Sequence, residues 1–382
     1  MTKNAVVLGC GMIGETMARD LAADDGFAVT VADVSEDNLA RLAEFGRIET
    51  RCADLTDEPT LRSVVEQADV VLGALPSVFG FRTLEIIIDA GKNFCDISFM
   101  PENALDLDAR AKARGVTAVV DCGVSPGLSN LFVGHAYAKL DSADRAVIMV
   151  GGLPKVRRWP YDYKAPFAPS DVIEEYTRPA RLIENGQVVT KPALSEPEFV
   201  DFPRVGTLEA FNTDGLRTLL DTMAIPFMKE KTLRYPGHID LMRALRETGL
   251  FDKNEIEVKG VRVRPLDVTS SLLFPRWRLE RGEEEFTVLR VVVDDLANGC
   301  RTRFSYDLYD EYDKPNGMSS MARTTAFPAT IMARAVASGR LSQAGVLPLE
   351  RLAPDEPLYD WMMGELASRG VDVQFTVEKP EP

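Results

Sequence analysis

Histidine is nearly absent from this chain. Of 382 residues only His135 and His238 are histidine, which excludes a histidine-rich metal site and leaves no metal expected. Cysteine is almost as scarce: Cys10, Cys52, Cys95, Cys122 and Cys300 are odd in number and form no Cys-x-x-Cys pair. They read as free thiols of a reducing cytoplasm rather than a disulfide framework or a structural zinc site. No apolar run approaches the roughly 18 residues of a membrane span. The first apolar stretch, residues 5–8, is too short for the core of a signal peptide. Positive charge is also in deficit, with 44 basic against 59 acidic residues and a net charge of −15. That balance disfavours nucleic acid or an anionic membrane as partner and tolerates a small cationic substrate. There is no internal repeat and no low-complexity tract.

What is present is enough apolar material, 45% of residues, for a sizeable core, at a length that suggests two domains. Over the first 125 residues short apolar runs alternate with helical patterns. Strands are expected at 5–8, 28–32, 48–52, 70–74, 93–97 and 117–120, with helices at 12–23, 36–45, 56–67 and 102–114 between them. This alternation implies βαβ units on a parallel, Rossmann-type sheet. After Pro126 the pattern changes. A helix at 128–140 and a strand at 146–150 precede an irregular stretch, 153–169. Strand-like runs at 181–183, 257–263, 286–293 and 300–309 follow, interrupted by helices at 216–223 and 239–248. The fold class is therefore α/β, with a second α+β domain built on a mostly antiparallel sheet. We expect a dinucleotide-binding domain over 1–125 and a substrate and dimerisation domain over 126–324. A segment over 325–382, helical at 325–337, should return to the first domain.

Gly9-Cys10-Gly11-Met12-Ile13-Gly14 follows the first strand and opens a helix. In this Gly-x-Gly-x-x-Gly pattern Gly9 permits a tight turn, Gly11 lets backbone approach a pyrophosphate, and Gly14 lets helix and strand pack closely. The helix start then offers amide donors and the positive end of its dipole. The bland alternative is a glycine turn with no ligand. Asp33 closes the second strand, where a carboxylate accepts from ribose hydroxyls and repels a 2′-phosphate. Val34-Ser35-Glu36-Asp37 follow it with no arginine, so NAD is expected over NADP. Asp54, after the third strand, either bonds near the adenine or caps a helix. Leu75 and Pro76 end the fourth strand and either line the cofactor crevice or form an ordinary turn. Asp96 and the pair Asp121-Cys122 end the fifth and sixth strands and should face the same crevice, Cys122 as a small packed residue beside the cofactor rather than a nucleophile.

Four further blocks carry a resemblance: Asp121-Cys122-Gly123-Val124-Ser125-Pro126-Gly127, Val150-Gly151-Gly152-Leu153-Pro154, Gly206 through Gly215, and Arg234-Tyr235-Pro236-Gly237-His238. In this order the chain resembles the lysine 6-dehydrogenases of the saccharopine dehydrogenase-like superfamily over roughly residues 1–250. The resemblance implies NAD-linked oxidative deamination of the ε-amine of L-lysine to 2-aminoadipate 6-semialdehyde. It also implies a homodimer formed through the second domain's sheet. Arg217 departs from the smaller, more polar residues of the resembled enzymes and leaves the exact amine open.

Amine oxidation needs a free nitrogen lone pair, and a lysine amine arrives protonated. Asp96, Asp121 and His238 are the candidate acid–base groups; the bland readings are caps for the two aspartates and a turn residue for His238. His135, mid-helix beside Leu131 and Phe132, reads as packed. Glu209, Asn212, Thr213 and Asp214 cluster before a helix, where Thr213 and Asp214 either contact substrate or cap. Arg217 and Arg234 are candidates for a fork on an α-carboxylate, against pairing with the chain's many acids. Lys155, Arg157, Arg158, Trp159, Tyr161 and Tyr163 suggest a lid or dimer arm. Competing readings are a saccharopine-type or carboxyspermidine-type reductase, and a dinucleotide sensor without turnover.

Overall fold

The computed structural model describes residues 2–295 and 302–379. Cys300 lies outside the described residues. The chain forms two compact units, one of Met1–Asp141, Arg217–Met223 and Ala322–Val373, the other of Ser142–Leu216, Ala224–Met321 and Gln374–Pro382.

The first unit is built on a seven-stranded sheet. Its N-terminal strands are β1 (Lys3–Leu8), β2 (Phe27–Asp33), β3 (Ile48–Cys52), β4 (Val70–Gly73), β5 (Asn93–Asp96) and β6 (Thr117–Val120). All its pairings are parallel, in the order Gly345–Pro348, β6, β5, β4, β1, β2, β3. The central strands are buried along their whole length, so they read as apolar runs without alternation. The order reverses between β1 and β4, which puts a crevice outside the carboxyl ends of those two strands.

This unit runs past residue 125 because the next helix packs into it. Leu128–Lys139 is buried on all sides from Leu128 to Ala136. Gly134 lies so close to the Glu350 carbonyl that a Cβ there would stand 2.5 Å from it. The chain returns from Ala322 onward within the helix Ser320–Ser338 and then adds Gly345–Pro348 beside β6.

The second unit carries a nine-stranded sheet. Its main path runs Glu198–Phe202, Gly206–Asn212, Phe227–Arg234, Arg145–Pro154, Glu285–Asp295, Thr302–Glu311, Val373–Glu378, with the hairpin Ala180–Glu184 and Gln187–Lys191 alongside. Of the pairings with a described register, only Phe227–Arg234 with Arg145–Pro154 is parallel. The α/β class with a second, mostly antiparallel sheet is therefore as expected.

Several local expectations change. Residues 257–263 are not one strand: Lys259 and Gly260 take φ of 51° and 80°, the two-residue turn that makes a hairpin of Ile256–Val258 and Val261–Val263. The helix expected over 216–223 shrinks to Leu219–Thr222. Glu209 and Asn212 lie in a strand, Gly206–Asn212, rather than a loop. The strand Phe227–Arg234, Phe-Met-Lys-Glu-Lys-Thr-Leu-Arg, has no apolar alternation, yet Glu230, Lys231, Thr232 and Arg234 are all buried. Glu230 accepts from the Thr213 hydroxyl, and Gly215 has no room for a Cβ, which would stand 2.4 Å from the Glu230 carboxyl carbon.

Burial pushes the Glu230 carboxyl up to about 8, against the Thr213 hydrogen bond. An acid raised in the fold stabilises fully below its unfolded value and loses that contribution as pH rises through the folded value. Stability should therefore fall between about pH 4.5 and 8, by a few kcal/mol at most, and thermal melts with it. Glu230→Gln should flatten this decline relative to the wild type; an unchanged slope would show that Glu230 does not drive it.

Candidate functional site

The loop after β1 is shaped by close backbone approaches. Gly9 sits at φ +99°, and a Cβ there would stand 2.6 Å from the Ala74 carbonyl oxygen, just past β4. Gly14 is tighter: its Cβ would stand 2.1 Å from the Gly9 oxygen. Gly11 differs from both. It is exposed, takes ordinary extended angles (φ −73°, ψ −174°), and a Cβ would meet nothing within 4 Å. The helix Met12–Ala22 starts there with no side-chain cap. Met12 is exposed and Ile13 half-buried beside it. An open glycine at an uncapped helix start is the cradle a pyrophosphate requires.

Asp33 joins this loop to β2. One carboxylate oxygen accepts from the Cys10 amide at 2.5 Å and the other from the Ser35 amide at 2.7 Å. Each oxygen keeps a second lone pair for a sugar hydroxyl. Burial and Asp33 push the Cys10 thiol up to about 12, so it is no nucleophile. Asp54 accepts from the Thr56 amide and hydroxyl at 2.9 and 2.6 Å, closing a turn that holds its carboxyl below the usual range. The cap of the next helix is Asp57 rather than Asp54. Leu75 lies against Gly9, and Pro76 precedes the helix Ser77–Asp89.

On the other side of the switch point, the ends of β5 and β6 bring Asp96, Asp121, Cys122 and Arg217 together. The Ser98 hydroxyl donates to Asp96 Oδ1 at 2.9 Å. Arg217 donates to Asp121 Oδ1 from both Nε and Nη2, each at 3.2 Å. Among the described residues, Oδ2 of each aspartate is buried without a hydrogen-bond partner. Burial raises Asp96 to about 7; Ser98 opposes this, Asp121 adds to it and Arg217 reduces it. The Cys122 amide donates to the Asp96 carbonyl at 2.9 Å, and burial pushes its thiol well up, which fits a packed residue. Arg217 does not present a free fork. It is 4% exposed, and its Nη1 donates to the Met100 and Glu102 carbonyls.

In the second unit the remaining candidates serve the interior. His238 Nδ1 meets the Tyr161 carbonyl and Nε2 the Tyr176 hydroxyl, both at 2.9 Å. Burial, reinforced by Arg234, holds it down to about 3, so near neutral pH it is uncharged and far too weak a base for the role expected of it. Arg234 is 2% exposed and donates to Tyr176, Tyr163, the Leu233 carbonyl and Glu175, the last at 2.5 Å. Its expected carboxylate partner is thus Glu175 of the chain itself. Thr213 bonds Glu230 and Thr232, and Asp214 takes Arg181 from backbone and side chain at 2.8–3.0 Å. Neither caps the helix Leu219–Thr222, whose N-cap position is Thr218. Glu209 accepts from the Gly237 amide, and Asn212 donates to Ser195 and Glu196. His135, in the first unit, stacks on Tyr359 with ring centres 3.9 Å apart.

Three polar groups escaped sequence reasoning. Ser98 stands two residues after Asp96, and that spacing was the available signal. Glu230 gave none, because Lys-Glu-Lys reads as surface. Glu350, buried and raised by desolvation, is reached by Thr222 and Asn130 and lies far from any motif. Among the described residues no helix is long and apolar enough to cross a membrane.

A doubly wound sheet with a glycine cradle at its switch point and a carboxylate closing its second strand defines a nicotinamide dinucleotide-binding domain of an oxidoreductase. Residues 5–119 match the saccharopine dehydrogenase NADP binding domain, and residues 123–371 the saccharopine dehydrogenase C-terminal domain. The chain belongs to the saccharopine dehydrogenase-like family. It is 24% identical to saccharopine dehydrogenase [NADP(+), L-glutamate-forming] of Saccharomyces cerevisiae, over 97% of this chain and 98% of that one. It is 20% identical to carboxyaminopropylagmatine dehydrogenase of Synechocystis, over 99% and 98%. The apo structure of the yeast saccharopine dehydrogenase has the same fold, with a TM-score of 0.80 over 98% of this chain and 100% of that one at 20% identity.

The two glycines separate binding from folding. Gly11→Val should leave stability within about 0.5 kcal/mol and weaken NADH binding about tenfold or more, because its side chain enters the cradle. Gly14→Val should cost about 1–3 kcal/mol of stability as well. Fluorescence titration with NADH beside denaturant melts checks both; equal destabilisation by the two would refute this division.

Proposed function

We propose that this protein is an NAD-dependent amine dehydrogenase of the lysine 6-dehydrogenase type, converting L-lysine to 2-aminoadipate 6-semialdehyde. The observation that carries this reading is the pair of buried carboxylates at the ends of β5 and β6, each with one uncommitted oxygen. Two acceptors suit the N–H donors of a protonated primary amine. Asp33 with no arginine after it supports NAD. Gly9, Gly11, Met12, Ile13 and Gly14 would hold the pyrophosphate, Asp33 the ribose, and Asp54, Leu75, Pro76 and Cys122 the crevice walls. Bound there, the nicotinamide would supply the hydride acceptor.

The residues' own task is proton handling. The amine must lose a proton before its lone pair can assist, and Asp96 as carboxylate takes it. The buried site also lowers the cost of the neutral amine by desolvation. After oxidation leaves an iminium, water adds at its carbon and gives one proton to solvent, the acid form of Asp96 returns its proton to nitrogen, and ammonia departs with the hydroxyl proton as ammonium, leaving the aldehyde. His238 and Arg234 hold the second unit's interior instead. A homodimer in the cytoplasm accompanies this reading.

The names of the yeast and Synechocystis relatives favour a second reading, in which a semialdehyde and an amine condense and the imine is reduced with NADPH. The separating experiment is an amine and amino-acid screen with NAD and NADP in parallel, read at the reduced-nicotinamide absorbance band. Growth with lysine and NAD is expected. Growth with another amine alone rejects lysine, and turnover only in the reductive direction with a second carbon substrate supports the second reading.

Because only ionised Asp96 accepts the proton, kcat/KM for amine oxidation should rise with pH through about 7. Asp96→Asn should abolish that limb and cost about 10²–10⁴ in rate. A profile flat across neutrality in the wild type would remove Asp96 from the base role.

A further inference from the structure

The Asp121–Arg217 pair has an unusual geometry. A guanidinium fork normally spans both oxygens of a carboxylate. Here Nε and Nη2 converge on the single atom Oδ1 of Asp121, at 3.2 Å each, while Oδ2 stays buried and unpartnered. The rest of the guanidinium is tied to the backbone through the Met100 and Glu102 carbonyls. Arg217 therefore cannot swing toward a ligand without abandoning three partners.

Both partners also occupy backbone conformations that most residues avoid. Asp121 lies at φ +48° and Arg217 at φ +52°. The left-handed region costs an ordinary side chain about 1–2 kcal/mol, least for aspartate and more for a long residue such as arginine. Strain at a buried ion pair marks a place where side-chain position matters more than local comfort. Arg217 also opens the short segment, Arg217–Met223, that joins the first unit from a stretch of chain otherwise given to the second. That insertion delivers one permanent positive charge to the strand ends.

Asp96 stands beside this pair with a different set of neighbours. Its hydrogen-bond partner is a neutral hydroxyl, Ser98, and the charged groups acting on it are Asp121 and Arg217, of opposite sign. The thiols of Cys95 and Cys122, both buried and both pushed up, complete the titratable surroundings, and Glu350 acts on Asp121 from the helix Leu349–Leu352. Two neighbouring carboxylates do not both ionise readily in a dry site, so whichever owns the cation keeps its charge and the other takes the proton.

We propose that Arg217 is a positioning residue that divides labour between the two carboxylates: it keeps Asp121 as its fixed anionic partner and leaves Asp96 as the group that carries the exchangeable proton. This rests on the amine-oxidation reading for the use of that proton, but the division itself belongs to the free protein. When an ammonium enters, one N–H proton passes to Asp96 Oδ2 and the freed lone pair stays on nitrogen. Asp121 Oδ2 holds another N–H throughout and takes no proton.

The test is a carboxyl titration of the ligand-free full chain, by infrared or by ¹³C NMR with aspartate carboxyls labelled. One aspartate carboxyl should titrate near neutrality and vanish in Asp96→Asn, while the Glu230 carboxyl, raised to about 8, remains in the infrared titration of that variant. Asp121→Asn removes a like charge and should lower its midpoint by about one unit; Arg217→Met removes the opposing cation and should raise it by a similar amount. Arg217→Lys keeps the charge and should restore the midpoint nearly to that of the wild type. A buried arginine tied to two carbonyls can be lost only at some cost to folding, so if Arg217→Met does not fold, Asp121→Asn and Arg217→Lys decide. Opposite shifts with lysine rescue sustain the proposal; with Arg217→Met unfolded, the downward shift together with the lysine midpoint does so. A midpoint indifferent to these changes, shifts of the same sign, or no carboxyl titrating near neutrality overturns it. No substrate or coenzyme enters this titration. A failed amine screen with these shifts intact would sink the substrate and leave the division of roles standing.

Discussion

The first unit turns on a contact too close for any side chain. Helix Met12–Ala22 leans on the loop that precedes it, with Gly14 against the Gly9 carbonyl and Gly9 against Ala74 beyond β4. This ties the ends of β1 and β4, the two strands between which the order of the sheet reverses. Everything chemical in this unit is arranged outward from that tie. To one side, Asp33 clamps the loop by taking the Cys10 amide. To the other, β5 and β6 end in Asp96 and Asp121. A glycine serves at these contacts because backbone must touch backbone, and at Gly11 because nothing does.

Buried charge is handled differently in the two units. In the second, Arg234 is taken up by Glu175 and two tyrosines, and Asp214 by Arg181. Trp277, Tyr163 and Tyr176 pack around His238 with edge and tilted ring contacts, and burial together with Arg234 holds its pKa down to about 3. Such networks fix a core's geometry. In the first unit the carboxylates at the strand ends are left partly unmet. An unmet buried acceptor is costly.

The sequence was most legible where spacing alone dictates structure. The six N-terminal strands lie within two residues of the positions read from apolar runs, and the glycine fingerprint falls on the observed turn. Legibility failed where burial was polar. Phe227–Arg234 runs through the middle of its sheet with a lysine, a glutamate and an arginine inside, and no hydrophobic period announces it. His238 illustrates the same limit for function: residue type and turn position suggested a base, whereas its protonation is set first by burial, then by Arg234, four residues before it, with the Tyr161 carbonyl, 77 positions away, opposing them. The pairing of Arg217 with Asp121 spans 96 positions and left no local trace.

The parallel sheet gains its last strand, Gly345–Pro348, only after all of the second unit but its C-terminal strand has been threaded. During synthesis β6 must therefore leave the ribosome with one edge bare, and it stays so while more than half the chain is still being made. Exposed edges of this kind invite mispairing, so the nascent N-terminal region has a period of vulnerability. The late strand acts as a closing seal, and a chain that stopped before Gly345 would carry an unsealed sheet.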